Sequence, residues 1–170
     1  MTDPEFRDAF RSHKDVLYRF AYRMTGSKAV AEDVVQECYL ALWRRPGAYD
    51  PRRGAVRAFL LGIARNLILK RWRDERPHEA LEDESSICQP VDLPAGERAA
   101  FVARAIGMLP PLQREALILA EYEDTPLEEI ARSTGAELAA VKSRLHRARE
   151  NLRQLLAPLW EEMRSVNGKR

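Results

Sequence analysis

The sequence predicts an all-α protein: two small helical modules joined by a flexible acidic linker, the second of them a helix-turn-helix domain. Three observations carry that expectation. Apolar residues recur at three- and four-residue steps through the long segments, and no strand-like alternation occurs in the 170 residues. Residues 77–95 break this periodicity, with Pro77, Pro90 and Pro94 set among acidic and small residues. Near the C-terminus, Ala131, Gly135 and Val141 stand at the spacing that two closely crossing helices require.

Taken in order, Phe6, Phe10, His13, Leu17, Phe20, Ala21 and Met24 define a first amphipathic helix over residues 4–24, which Gly26 ends. Ser27 supplies an N-cap for a second helix reaching Arg45, with Val34, Val35, Cys38 and Leu42 as its buried stripe. Asp33, Gln36 and Glu37 point the opposite way. Pro46, Gly47, Asp50, Pro51 and Gly54 crowd residues 46–55 too densely for a helix, so a loop is expected there. A third helix runs from Val56 to Glu75, its stripe of Phe59, Ile63, Leu67 and Trp72 facing the first two. After the linker, helices are expected over residues 96–108 and 111–122, followed by the two helices of the motif. Leu159, Trp160 and Met163 extend the last helix and pack on the second module.

The motif has a physical logic. The Thr125 hydroxyl can cap the first free amides of a helix, Pro126 suits its first position, and Glu128 closes a capping box. Ala131 is small enough for a close crossing, Gly135 takes the positive φ that ends the helix, and Val141 fills the gap between the pair. On the second helix, Leu138, Val141, Leu145, Ala148 and Leu152 share one face. Ser143, His146, Arg147 and Glu150 share the other, flanked by Lys142, Arg144 and Arg149. Such a helix fits a major groove, with outer side chains on base edges and flanking cations on phosphates.

A chain of this length suits one or two domains, each near the lower limit for burying its own core. Its net charge of +2 announces no partner, but the charge is unevenly spread. Residues 63–76 carry Arg65, Lys70, Arg71, Arg73 and Arg76, and residues 142–153 carry five more cations, whereas residues 77–97 hold six acids and no Lys or Arg. No run approaches the length of a membrane span and no cleavable leader is visible, which points to a cytoplasmic protein without membrane insertion. Cys38 and Cys88 lack metal-site spacing; Cys38 reads as a core residue and Cys88 as an incidental linker thiol. The three histidines are scattered, no nucleophile with its base is recognisable, and no glycine-rich phosphate loop occurs, so neither an enzyme nor a cofactor is expected.

Three segments together resemble the extracytoplasmic-function group of bacterial RNA polymerase sigma factors, over most of the chain. Ala31-Glu32-Asp33-Val34-Val35-Gln36-Glu37, continuing to Leu42-Trp43-Arg44, is similar to the segment with which these factors bind the polymerase β′ clamp helices. The resemblance implies that Asp33, Gln36, Glu37, Trp43 and Arg44 bind core polymerase. Phe59-Leu60-Leu61-Gly62-Ile63-Ala64-Arg65-Asn66, with the loop through Tyr49 and Arg53, resembles the segment that captures a base flipped from the non-template strand of the −10 element. It implies Asn66 in the base pocket, with Arg65, Lys70, Arg71 and Arg73 on phosphates. From Leu109-Pro110-Pro111-Leu112-Gln113-Arg114-Glu115-Ala116 through the motif, the chain is similar to the −35-binding domain. Lys142, Ser143, His146 and Arg147 then approach bases or nearby phosphates, and Arg144 and Arg149 hold the backbone. Where many members have Pro, Gly and Thr, this chain has Glu137, Ala139 and Ala140, which removes a hydroxyl donor and leaves the −35 sequence open.

On this resemblance residues 1–76 form sigma region 2, residues 77–95 the connector and residues 96–170 region 4. It implies as partners core RNA polymerase, through its β′ clamp helices and β subunit, promoter DNA, and an anti-sigma factor. The alternative is a stand-alone helix-turn-helix regulator that binds palindromic duplex DNA as a dimer, for which the sequence offers no obvious dimerisation helix.

Overall fold

The computed structural model describes residues 2–78 and 96–167; the acidic linker and Cys88 lie outside these. Helix α1 (Asp3–Thr25) opens with a capping box: the Thr2 hydroxyl accepts from the Glu5 amide, and the Glu5 carboxylate accepts from the Thr2 amide at 2.6 Å. Gly26, at φ 69°, closes it. Ser27 caps α2 (Lys28–Arg44) by accepting from the Val30 amide at 3.3 Å. The expected loop contains one 3-10 turn, Pro51–Arg53, begun by Asp50, whose carboxylate accepts from the Arg52 amide at 2.9 Å. Then α3 (Val56–Glu75) packs against both earlier helices.

Leu17, Phe20, Met24, Cys38, Leu42, Leu60 and Ile68 are sealed between these three helices; each large apolar side chain so buried contributes about 1.5–3 kcal/mol. Burial, with the nearby Glu37 charge adding to it, pushes the Cys38 thiol up to about 12, so it is an inert core group. The Tyr39 phenol donates to the Ala9 carbonyl at 3.2 Å and fixes α2 against α1.

The stripe expected on α3 needs correction. Its buried residues are Leu60, Leu61, Ala64, Ile68, Leu69 and Trp72, while Phe59, Ile63 and Leu67 are only half-buried. Of the expected four, only Trp72 lies on the buried face. The helix is apolar on more than one side, so periodicity alone cannot choose its inner face; packing chooses the one where small Ala64 lets the neighbours approach.

The second module comprises α4 (Glu97–Gly107), α5 (Pro111–Leu117), α6 (Leu127–Thr134), α7 (Leu138–Leu155) and α8 (Ala157–Asn167). The helix expected over residues 111–122 is present, but its last part, Ile118–Tyr122, widens into a π-helical turn, closed by the Glu123 amide on the Ile118 carbonyl at 3.1 Å. The chain then turns through Asp124 at φ 47°. Thr125 does not cap α6 and no capping box forms with Glu128. The Thr125 amide is tied back to Leu119 at 2.9 Å and its buried hydroxyl turns to the Glu123 carbonyl, so the oxygen is aimed away from the helix it was expected to start. The C-terminal segment forms a separate helix, α8, rather than prolonging α7, and Trp160 on it is 55 % exposed.

The two modules do not stand apart. α1 packs against α4, α5 and the π turn, α3 packs against α6, and one continuous set of buried residues runs from Leu17 to Ala148. Among the described residues no strand occurs and no helix is long and apolar enough to cross a membrane.

Gly135 ends α6 at φ 67°, and the Ala136 amide reaches the Ala131 carbonyl at 3.1 Å. A Cβ there would meet nothing within 4 Å, so the cost of a side chain is purely one of backbone conformation. Gly135→Ala is expected to destabilise the protein by about 1 kcal/mol in urea denaturation, and Gly135→Asn by less, since asparagine tolerates this region.

Candidate nucleic-acid interface

Three surfaces carry the residues singled out in the sequence. On α2, the buried stripe turns Asp33, Gln36 and Glu37 to solvent together, and Trp43 and Arg44 are also exposed. The Trp43 ring rests edge-on against Phe6, centroids 5.1 Å apart, and is otherwise 59 % exposed. Asp33 lies 3.9 Å from Arg71 on α3, an exposed pair of little strength that a partner can displace. A shallow groove between the helices is lined by Asp33, Glu37, Lys70, Arg71 and Asp74.

The second surface is a cleft of about 370 Å³ beside α3, lined by Tyr49, Arg53, Phe59, Ile63 and Asn66 among others. The Tyr49 and Phe59 rings are 5.6 Å apart, and the Tyr49 phenol donates to the Gly54 carbonyl at 3.3 Å, which anchors the loop. Phe59 and Ile63, displaced from the core, thus serve as the apolar wall of this cleft. Asn66 stands at its exposed rim, its amide oxygen accepting from Arg65 at 3.3 Å. Aromatic faces beside the Asn66 amide and the Arg53 guanidinium suit a flat ring with polar edges, as an unstacked base is. Lys70, Arg71 and Arg73 lie further along α3, outside the cleft. The cleft's remaining wall comes from the other module: Glu129, Arg132 and Ser133 of α6.

The third surface is the outer face of α7. Val141, Leu145 and Ala148 are buried, Lys142, His146 and Arg147 are exposed, and Ser143 and Arg144 are half-buried. Arg149 is drawn into an ion pair with Glu121. Among the described residues no group of His, Cys, Asp or Glu is arranged to hold a metal ion.

Three polar residues that sequence reasoning missed lie between these surfaces. Arg114, on the wholly buried α5, donates to the carbonyls of Met24, Gly107 and Leu109 and lies 5.1 Å from the Trp72 ring centroid. Its neighbour Glu115 is 2 % exposed and ion-paired with Arg65. Burial pushes the Glu115 carboxyl up, and the Arg65 and Arg144 charges offset only part of that rise. Glu123 is likewise 2 % exposed, with Arg19 and Arg23 at 3.4 Å and Arg57 at 3.7 Å. For Arg114 and Glu115 the available signal was a charged pair between the apolar residues of a short helix. Arg65 is therefore turned away from the cleft, toward the second module.

Residues 9–78 match Sigma-70 region 2, and residues 100–152 match Sigma-70, region 4. The ECF RNA polymerase sigma factor SigE of Mycolicibacterium smegmatis is 35 % identical over 164 residues, spanning 91 % of this chain and 62 % of its own length. The chain thus covers a little under two thirds of that relative. SigL of Mycobacterium tuberculosis, also an ECF RNA polymerase sigma factor, is 33 % identical over 158 residues, covering 90 % of this chain and 89 % of its own. Among solved structures, the sigma factor RpoE bound to the anti-sigma factor NepR from Bartonella quintana superposes with TM-score 0.69 at 27 % identity, over 90 % of this chain and 97 % of that one. CnrH, bound to the cytosolic domain of CnrY, superposes with TM-score 0.71 at 26 % identity, over 92 % of this chain and 90 % of that one.

Proposed function

The chain belongs to the extracytoplasmic-function sigma factors of the sigma-70 family, and on that premise we propose that it binds core RNA polymerase, recognises the −35 and −10 elements of a promoter and supports their melting. The observation that carries this reading is the cleft of Tyr49, Phe59, Ile63 and Asn66, an aromatic and apolar wall with an amide at its rim beside a cationic helix, in a chain that also carries a helix-turn-helix. It performs no bond chemistry. Residues 1–76 act as region 2 and residues 96–170 as region 4, joined by residues 77–95.

In this reading the α2 face of Asp33, Gln36, Glu37, Trp43 and Arg44 meets the β′ clamp helices, where exposed carboxylates complement basic side chains. A base leaving the melted −10 strand enters the cleft, packs on the Tyr49 and Phe59 walls and pairs its polar edge with Asn66. Arg53, Arg65, Lys70, Arg71 and Arg73 take the strand's phosphates. The outer face of α7 enters the −35 major groove with His146, Arg147, Lys142 and Ser143, while Arg144 and Arg149 steady the backbone. Since RpoE and CnrH were captured with NepR and CnrY, an anti-sigma factor is proposed as a further partner, and the reaction it controls belongs to the cytoplasm.

Asp33→Lys is expected to abolish co-elution with bacterial core polymerase while circular dichroism stays native; retained binding overturns the clamp assignment and moves weight to a stand-alone regulator. Asn66→Ala is expected to lower open-complex formation by about 1 kcal/mol, roughly five-fold, with core binding unchanged, as followed by permanganate reactivity of the −10 thymines. Arg147→Ala is expected to weaken −35 binding by about 1–3 kcal/mol with relaxed sequence preference; a loss equal on all sequences marks a phosphate contact instead.

A further inference from the structure

We propose that the seam between the two modules is an electrostatic latch: Glu115 of the second module takes the place of a DNA phosphate on Arg65, Glu123 binds Arg19, Arg23 and Arg57, and together they hold the free chain closed with its −10 cleft covered. The role given to the cleft rests on the function proposed above; the latch itself rests on geometry alone.

Two carboxylates of the second module meet four arginines of the first here, and Glu115 also feels the charge of Arg144 from its own module. Glu115 pairs with Arg65 from α3. Glu123 lies among Arg19 and Arg23 of α1 and Arg57 of α3, and its main-chain carbonyl accepts from the Arg57 guanidinium at 2.7 Å. Both carboxylates are almost fully withdrawn from water, while the arginines keep between 16 % and 48 % of their side-chain surface exposed. The arginines thus keep contact with solvent while the acids they hold are withdrawn from it. Arg23 also covers the Tyr122 ring at 4.3 Å, and Arg114 of the second module donates to the Met24 carbonyl near the end of α1.

The same seam covers the cleft. α6 lies across α3 where Gly62 leaves room: a Cβ at Gly62 would sit 3.6 Å from the Ser133 carbonyl oxygen. Glu129, Arg132 and Ser133 then form one wall of the cleft that should admit a base, and the Glu129 carboxylate repels an approaching phosphate. A strand cannot enter along α3 while α6 is in place, and Arg65 cannot serve Glu115 and a phosphate together. Ion pairs of this kind recover in Coulomb attraction about what their desolvation costs. They specify the closed geometry without making it irreversible, and a polyanion or a partner that separates the modules can open it.

The test uses the full chain in small-angle X-ray scattering together with a fluorescent single-stranded DNA of random sequence. The wild type is expected to show the radius of gyration of one compact body, about 16 Å for a chain this long; a value for two separated modules overturns the latch. Glu115→Gln with Glu123→Gln is expected to expand the chain at native helicity and to bind the DNA about ten-fold more tightly or better, because the competent state is no longer rare. Glu97→Gln with Glu128→Gln, two exposed acids of the same module, controls for the added positive charge. Arg57→Gln, which removes a positive charge, is expected to expand the chain as well, and it decides the matter if the double variant loses helicity. Native helicity with an unchanged radius in both overturns the latch. Expansion without a gain in DNA affinity over the control overturns the −10 reading of the cleft and leaves the latch standing.

Discussion

The structure depends on one cation brought into the interior. Arg114 is 2 % exposed, and its guanidinium is surrounded by carbonyls contributed by three separate places: the end of α1, the end of α4 and the turn before α5. A planar group with five donors is suited to this. It gathers carbonyls that the helix ends leave without intrahelical partners, and the Trp72 ring meets its face. Both modules are oriented from that point. Because it draws on α1 and α3 as well as its own neighbourhood, Arg114 ties the placement of the second module to the way the first one ends its helices.

The rest follows as geometry. With α5 fixed by Arg114 and covered on all sides, Glu115 must leave the same helix next to it and finds Arg65. The π turn that ends this run brings Glu123 round to the arginines of α1 and α3. Thr125 loses its capping role to the same turn, which points its hydroxyl at the Glu123 carbonyl and away from α6. What looks locally like a poorly capped α6 is a consequence of how the chain leaves α5.

Much of this was legible in the sequence because it is local. Gly26, Ser27 and Gly135 mark boundaries through their own backbone and side-chain chemistry, and the structure uses all three as expected. The alternation of Asp33, Gln36 and Glu37 with Val34 and Cys38 fixes which side of α2 faces out. The gathering of Tyr49, Arg53 and Asn66 into one cleft was legible only through the resemblance, since nothing in their spacing brings a loop and a helix together. The inner face of α3 was not legible, since a helix apolar on several sides has its rotation chosen by its neighbours. Nor were Glu115 and Glu123, whose partners stand 50 and more positions away in the chain. A charged residue inside an apolar run signals that a partner exists, but its identity is tertiary.

The position of Phe59 and Ile63 has a cost of its own. Both are half-buried, in a cleft whose far wall is α6. When that wall moves away, two large apolar side chains and the Tyr49 ring are left on one exposed strip beside a row of cations. Such a strip is adhesive toward any apolar or acidic surface, including other copies of the chain. On the latch proposed above, closure therefore also keeps this strip covered, and separation of the modules would expose it.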